Sequence, residues 1–165
     1  EYVYGFGIDL NYRGFDLNVA FQGVGNVQKK PGGYVYWEFR PDGKGNVMEH
    51  HLDRWAYDPA NGIDTRLTAK YPRLSLTGND GNNRGPNSDY WLRDASYLRL
   101  KSVELGYTLP ARAAKAIWLK NLRIYVSATN LFTSDKIDIL DPETTTTGTV
   151  YPLQRTVCMG LNISF

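Results

Sequence analysis

The feature that most restricts this chain is a strict two-residue alternation kept up over stretches of about ten residues. In the last stretch Val157, Met159, Leu161, Ile163 and Phe165 are apolar, while Cys158, Gly160, Asn162 and Ser164 are small or polar. A strand sends successive side chains to opposite faces, so this segment has one greasy face and one wetter one. The opening residues, EYVYGFGIDLNY, follow the same rule: Tyr2, Tyr4, Phe6, Ile8, Leu10 and Tyr12 share one face, and Glu1, Val3, Gly5, Gly7, Asp9 and Asn11 share the other. Tyrosines at both ends of the apolar face are the pattern of a lipid-facing strand, whose rings sit at the two water interfaces. A turn at Arg13-Gly14 leads into FDLNVAFQGVG, where Phe15, Leu17, Val19 and Phe21 alternate with Asp16, Asn18, Ala20 and Gln22. The pair reads as a tight hairpin. A half-buried hairpin of a soluble β-sandwich alternates in the same way. Strands of about ten residues, however, suit a tilted membrane crossing and exceed the roughly 5–6 residues usual in soluble sheets.

Composition narrows the choice. A chain of 165 residues suffices for one ordinary domain. Twelve tyrosines, four tryptophans and 16 glycines suit β structure with many turns. A net charge of +2 is too balanced to argue for nucleic acid. Cys158 is alone, which excludes an internal disulfide and a cysteine metal cluster. No apolar run approaches the roughly 20 residues of a membrane helix, but barrel strands hide their hydrophobicity at every second position. No signal peptide is present, Glu1 is not a methionine, and the chain opens inside an alternating strand. The expectation is therefore a C-terminal piece of a longer chain.

Between about residues 25 and 94 the alternation fails, and Gly, Pro, Asn, Asp, Tyr and Trp accumulate. A loop this long is usually functional. Within it, Tyr34–Phe39 could pair locally and His50–Tyr57 could form a helical turn. At 97–109, YLRLKSVELGYTL, Val103, Leu105, Tyr107 and Leu109 form an apolar face; parity slips near Leu98 and Leu100, which predicts a bulge or an end standing above the lipid. Pro110 closes this strand, and ARAAKAIWLK reads as a short helical connector. NLRIYVSATNLF resumes at 121–132, followed by a polar, Thr-rich loop at 133–150 and the last strand at 151–165. The expected strands are thus about 1–12, 14–24, 97–109, 121–132 and 151–165, joined by short turns on one side and long loops on the other. On a barrel reading the long loops lie outside the cell.

The blocks DASYLRLKSVELGYTLP and NLRIYVSATNLFT, the series HLDRW, YPRLSL and DYWLRD, and the ending YPLQRTVCMGLNISF resemble the C-terminal end of SusC/RagA-type TonB-dependent outer-membrane transporters. The resemblance spans essentially the whole chain. It implies an all-β fold: an antiparallel transmembrane β-barrel segment, the last five strands of a barrel of about 22. It also implies a Gram-negative outer-membrane location and import of large nutrients, glycans or peptides. The implied partners are a SusD-like surface lipoprotein acting as a lid, TonB as energy source, the barrel-assembly machinery, the lipid bilayer, and the rest of the barrel with its N-terminal plug. Bacterial barrels need at least about 8 strands to close, so five are not expected to form a barrel alone. The different-class alternative is a soluble β-rich glycan-binding or adhesion module, whose apolar faces would turn inward against each other.

No enzyme, cofactor or metal centre is expected. His50 and His51 are adjacent, which points neighbouring side chains apart, and the i, i+4 spacing of a zinc helix is missing. The stretch TGNDGNNRGPNSD has calcium-like spacing but lacks the terminal Glu of an EF-hand loop. Asn162-Ile-Ser164 fits a glycosylation sequon but falls within a strand. The candidate ligand contacts are the polar residues of inward parity, Asp9, Asp16, Asn18, Gln22, Glu104 and Arg123, and the loop aromatics Tyr34, Tyr36 and Trp37. Trp55 and Trp91, in the family-shared motifs, are expected to brace the loop. The family resemblance makes the terminal face of Val157, Met159, Leu161, Ile163 and Phe165 the expected assembly signal.

Overall fold

A computed structural model describes residues 1–32, 37–39, 45–76, 89–137, 140–144, 151 and 153–165. Its main element is one antiparallel sheet of five strands: β1 (Tyr2–Tyr12), β2 (Phe15–Gly25), β7 (Tyr97–Thr108), β8 (Asn121–Asp135) and β9 (Thr156–Ser164). They lie in the order β1-β2-β7-β8-β9, so each pairs with its neighbour among the long strands of the sequence. The hairpin between β1 and β2 turns on two residues, Arg13 with φ 49° and Gly14 with φ 88°. Positive φ at both central positions is what a type I′ turn requires, and its twist matches that of the flanking strands. A Cβ at Gly14 would also stand 2.7 Å from the carbonyl oxygen of Thr108, so the position is closed to larger residues.

The register carries one apolar face across all five strands. Leu10 lies opposite Leu17, Leu17 opposite Leu105, Leu105 opposite Val126, and Val126 opposite Met159. Phe6 stacks on Phe21 at 4.9 Å between centroids, and Phe15 meets Tyr107 at 4.5 Å, aromatic pairs that strengthen a ladder. The register shifts between Leu100 and Ser102 of β7, and Asn130 on β8 takes a positive φ of 55°. This irregularity resolves the parity slip seen in the sequence. Past it, Leu98 and Leu100 pair with Gly23 and Phe21 and rejoin the apolar face. At the other end Pro110, α1 (Ala111–Ala116) and a turn with Trp118 at φ 64° connect β7 to β8. Lys120 then donates its backbone N–H to the Ser164 carbonyl at 2.8 Å.

Large side chains on the apolar face remain open to the surroundings: Phe6 is 50 % exposed, Ile8 47 % and Met159 78 %. A sandwich would lay a second sheet over this face, and among the described residues none does so. Tyrosine rings instead lie over glycines of the next strand. The Tyr2 ring fills the place a side chain at Gly25 would need, Tyr4 does so at Gly23, and Tyr125 at Gly160 on the other face. The final strand begins at Thr156 rather than near Tyr151, because the ladder ends at the pair Thr129–Thr156 where Asn130 leaves extended geometry. The Asn130 amide then donates to the Gln154 carbonyl at 3.2 Å in place of a ladder bond.

The chain divides into two compact units. The sheet belongs to Glu1–Val27, Ala95–Lys136 and Pro152–Phe165, and the second unit comprises Gln28–Asp94 and Ile137–Tyr151. The second unit is held by short ladders, β3 (Gln28–Lys29) with β6 (Arg93–Asp94) and β4 (Tyr57–Asp58) with β5 (Ile63–Asp64), and by an isolated bridge between Arg54 and Tyr71. Glu49–Asp53, Pro59–Asn61 and Asp89–Trp91 are 3-10 turns. Lys29 ties the 137–151 segment to the rest of this unit by donating to the carbonyls of Pro142 (2.5 Å) and Thr144 (3.1 Å). Trp37–Phe39 form a bend and turn, while Tyr34 and Tyr36 lie outside the described residues, as does the calcium-like stretch through 77–88.

Candidate functional site

Two regions gather the polar and aromatic groups that could meet a ligand, one in each unit. The first is the face of the sheet opposite the apolar one. Asp16 on β2, Glu104 on β7 and Arg123 on β8 lie on three adjacent strands, and the register brings them together. Arg123 Nε donates to Asp16 Oδ1 at 3.1 Å, and its Nη2 donates to Glu104 Oε1 at 2.6 Å and to Asp16 Oδ2. The guanidinium spans β7 because Gly106 stands opposite Asp16. A Cβ at Gly106 would lie 2.5 Å from both Arg123 Nη2 and Asp16 Oδ2, so a larger residue there would separate the pair. Arg123 also lies over the Tyr125 ring at 5.0 Å. Its planar fork suits this double engagement of carboxylates.

The remaining residues of inward parity continue this face, with Asn18 in register opposite Glu104. The Asn18 side-chain amide donates to Asp9 Oδ1, its partner in the ladder. Gln22 pairs in register with Gly5 on one side and Arg99 on the other. Arg99 is 2 % exposed and was not among the expected inward residues. In the sequence it shares the parity of Val103; the irregularity after Leu100 moves it to the polar face. Parity alone could not find it, though a basic residue beside a parity slip was a usable signal.

The second region is the aromatic cluster of the other unit. Trp91, 3 % exposed, is its centre. Trp37 meets it edge-on at 4.7 Å, Tyr90 edge-on at 4.9 Å, and Tyr71 lies parallel at 6.3 Å. Trp37 therefore sits within loop packing, alongside the bracing Trp91. Below this cluster the Glu38 carboxylate accepts the Ser75 backbone N–H at 3.2 Å and stands 3.7 Å from His51 Nε2. His51 Nδ1 accepts the Met48 backbone N–H at 2.9 Å. Burial pushes the His51 imidazole down to about 4, with the His50 and Arg54 charges adding to the effect.

Beside the cluster is a cavity of about 400 Å³ lined, among the described residues, by Trp55, Ala69, Tyr71, Pro72, Arg73 and Tyr90. Trp55 was expected to brace the loop, and Tyr90 was not among the candidate contacts. The fold places both at the cavity wall, Trp55 42 % and Tyr90 48 % exposed. Val157, Met159, Leu161, Ile163 and Phe165 all lie exposed at the β9 end of the sheet.

No family model matches the chain. It is 26% identical over 180 residues to the TonB-dependent receptor P26 of Formosa agariphila, a match that covers 100% of this chain and 17% of that protein. It is 28% identical over 160 residues to the TonB-dependent receptor SusC of Bacteroides thetaiotaomicron, covering 94% of this chain and 14% of the relative. The chain is homologous to a segment of the SusC/RagA-type TonB-dependent receptors. These receptors are outer-membrane β-barrels, and they are transporters rather than enzymes. The five-stranded sheet matches part of such a barrel. The chain superposes on the RagAB peptide importer in its open-open state with a TM-score of 0.70 at 24% identity, covering 99% of this chain and 17% of that one. The closed-closed state gives a TM-score of 0.67 at 23% identity, covering 99% of this chain and again 17% of that one, and these likenesses show the fold. The chain thus spans about a sixth of the length of the TonB-dependent receptor P26 that it matches.

Proposed function

We infer that this chain supplies part of the barrel wall and outward loops of an outer-membrane importer of the SusC/RagA type. In this reading the five strands cross the membrane, the apolar face meets lipid, and the polar face with Arg123, Asp16 and Glu104 lines the water-filled interior. The long loops at about 25–94 and 133–150 lie on the extracellular side. The importer takes up large nutrients, oligosaccharides or oligopeptides, with a SusD-like lipoprotein as partner and TonB as the source of energy. The observation that carries the reading is a single apolar face continuous over five strands and open to the surroundings. A lipid bilayer stabilises such a face, whereas water penalises it by roughly 25 cal/mol for each Å². The likeness to RagAB importer structures supports the partner and leaves peptide as one of the two substrate classes.

Fractionation of cells carrying the full-length protein tests the reading. The protein is expected in the outer membrane and released only by detergent. Recovery from the soluble fraction without detergent would overturn it.

A further inference from the structure

We propose that the cavity walled by Trp55, Tyr71 and Tyr90 is a binding site for a pyranose ring of an oligosaccharide. Sugar rings present C–H bonds on one face and hydroxyls around the rim, so they are held by flat aromatic surfaces beside a few hydrogen-bonding groups. The cavity offers that combination. Trp55 and Tyr90 are both part-exposed at its wall. Tyr90 is fixed from behind by the Trp91 ring at 4.9 Å, and its hydroxyl donates to the Lys70 carbonyl, so the ring rather than the hydroxyl is presented. Tyr71 is fixed between His50 at 5.2 Å and Trp91 at 6.3 Å. The platform is therefore set before any ligand arrives, which lowers the ordering cost of binding. Ala69, with its small side chain, is also at the wall, as is Arg73, whose guanidinium carries five N–H donors. A volume of about 400 Å³ lies in the usual range for a small-ligand site.

The backbone favours a sugar over a peptide. A peptide held in extended form gains most from pairing with an open strand edge. Here Trp55 donates its N–H to Tyr71, and Tyr71 donates its own to Asp53, so these wall amides are already paired with each other's segments. A ring stacked on Trp55 and Tyr90 needs no such edge.

The assignment rests on the importer reading above, and the experiment separates the two. Full-length transporter is purified in detergent from outer membranes and applied to an array of immobilised neutral and uronate-bearing oligosaccharides beside an array of oligopeptides. Saccharide retention is expected for the native chain. Trp55→Ala and Tyr90→Ala should each weaken it about three- to tenfold. Trp55→Phe should keep most of it, and Ala69→Phe should abolish it by filling the space while leaving the aromatic walls in place. Retention of peptides alone, retention of nothing, or saccharide affinity unchanged in both Trp55→Ala and Ala69→Phe would overturn the site. All of these are read on protein already assembled in the outer membrane, so they leave the importer reading untouched. A full-length chain that never reaches that membrane would sink the importer reading instead.

Discussion

Gly106 has no side chain, and for that reason Arg123 can reach over β7 to Asp16 while also holding Glu104. Each of the three charged residues had inward parity in the sequence. That they touch depends on register, since Asp16 meets Gly106 and Glu104 meets Ser127 only in the observed pairing. Arg123→Met would leave two carboxylates as diagonal neighbours on adjacent strands with no cation between them, and their mutual repulsion would weaken the sheet. The thermal midpoint of the detergent-purified transporter should fall by a few degrees. Adding Asp16→Asn should recover part of the loss, because it removes one of the two stranded charges. An additive, uncoupled double variant would show that the contact contributes nothing. Gly106→Val should have the same effect as Arg123→Met by forcing the pair apart. The tyrosine-over-glycine contacts follow the same logic. The glycines were visible in the sequence, but the rings above them belong to neighbouring strands.

Among the elements, the long strands were legible because alternation is a local property, and the hairpin turn because Arg13-Gly14 can take positive φ. The loops were legible only as composition. Their most informative feature is a contact between distant segments: Glu38, His51 and Ser75 meet through a buried carboxylate and imidazole. His51 is neutral in this arrangement, with Nδ1 occupied by the Met48 amide. Its pKa is about 4 when folded, against an ordinary value of 6.5 when unfolded. The unfolded segment therefore takes up a proton first as the pH falls. The contribution of this histidine is complete above about 6.5 and declines as the pH drops towards about 4. Hydrogen-exchange protection factors at the His51 and Ser75 amides should fall between pH 7 and pH 5. His51→Asn, which keeps an acceptor and does not titrate, should flatten that dependence. Equal pH dependence in the two proteins would exclude His51 as its cause.

At the scale of the whole molecule, the apolar face of the sheet sets the requirement for a membrane. Ile8 lies midway between the tyrosines at Tyr4 and Tyr12, and it is 47 % exposed on that face. Ile8→Lys should cost about 2–4 kcal/mol, the cost of a cation near the bilayer midplane. Urea unfolding of the full-length transporter in lipid vesicles measures this. Ser127→Lys, on the opposite face and in register with Glu104, should cost far less. Equal costs at the two positions would show that the faces are not distinguished by lipid and would count against the importer reading.

The sequence by itself determined the strand class, the two faces of each strand, the tight turn and the family resemblance. All of these follow from spacing along the chain, and side chains of a strand alternate whatever lies beside it. Only the tertiary structure decided which residues meet. The irregularity at Leu100–Ser102 returned Leu98 and Leu100 to the apolar face and sent Arg99 to the polar one. Asn130 ended the β8–β9 ladder and delayed the last strand to Thr156. Lys29 joined the 137–151 segment to the 28–94 segment, which the sequence presented as two separate loops. Trp55 and Tyr90 became cavity walls while Trp37 turned towards Trp91. Each outcome depends on a contact between residues far apart in the chain, and local periodicity holds no information about which distant partner a side chain will find.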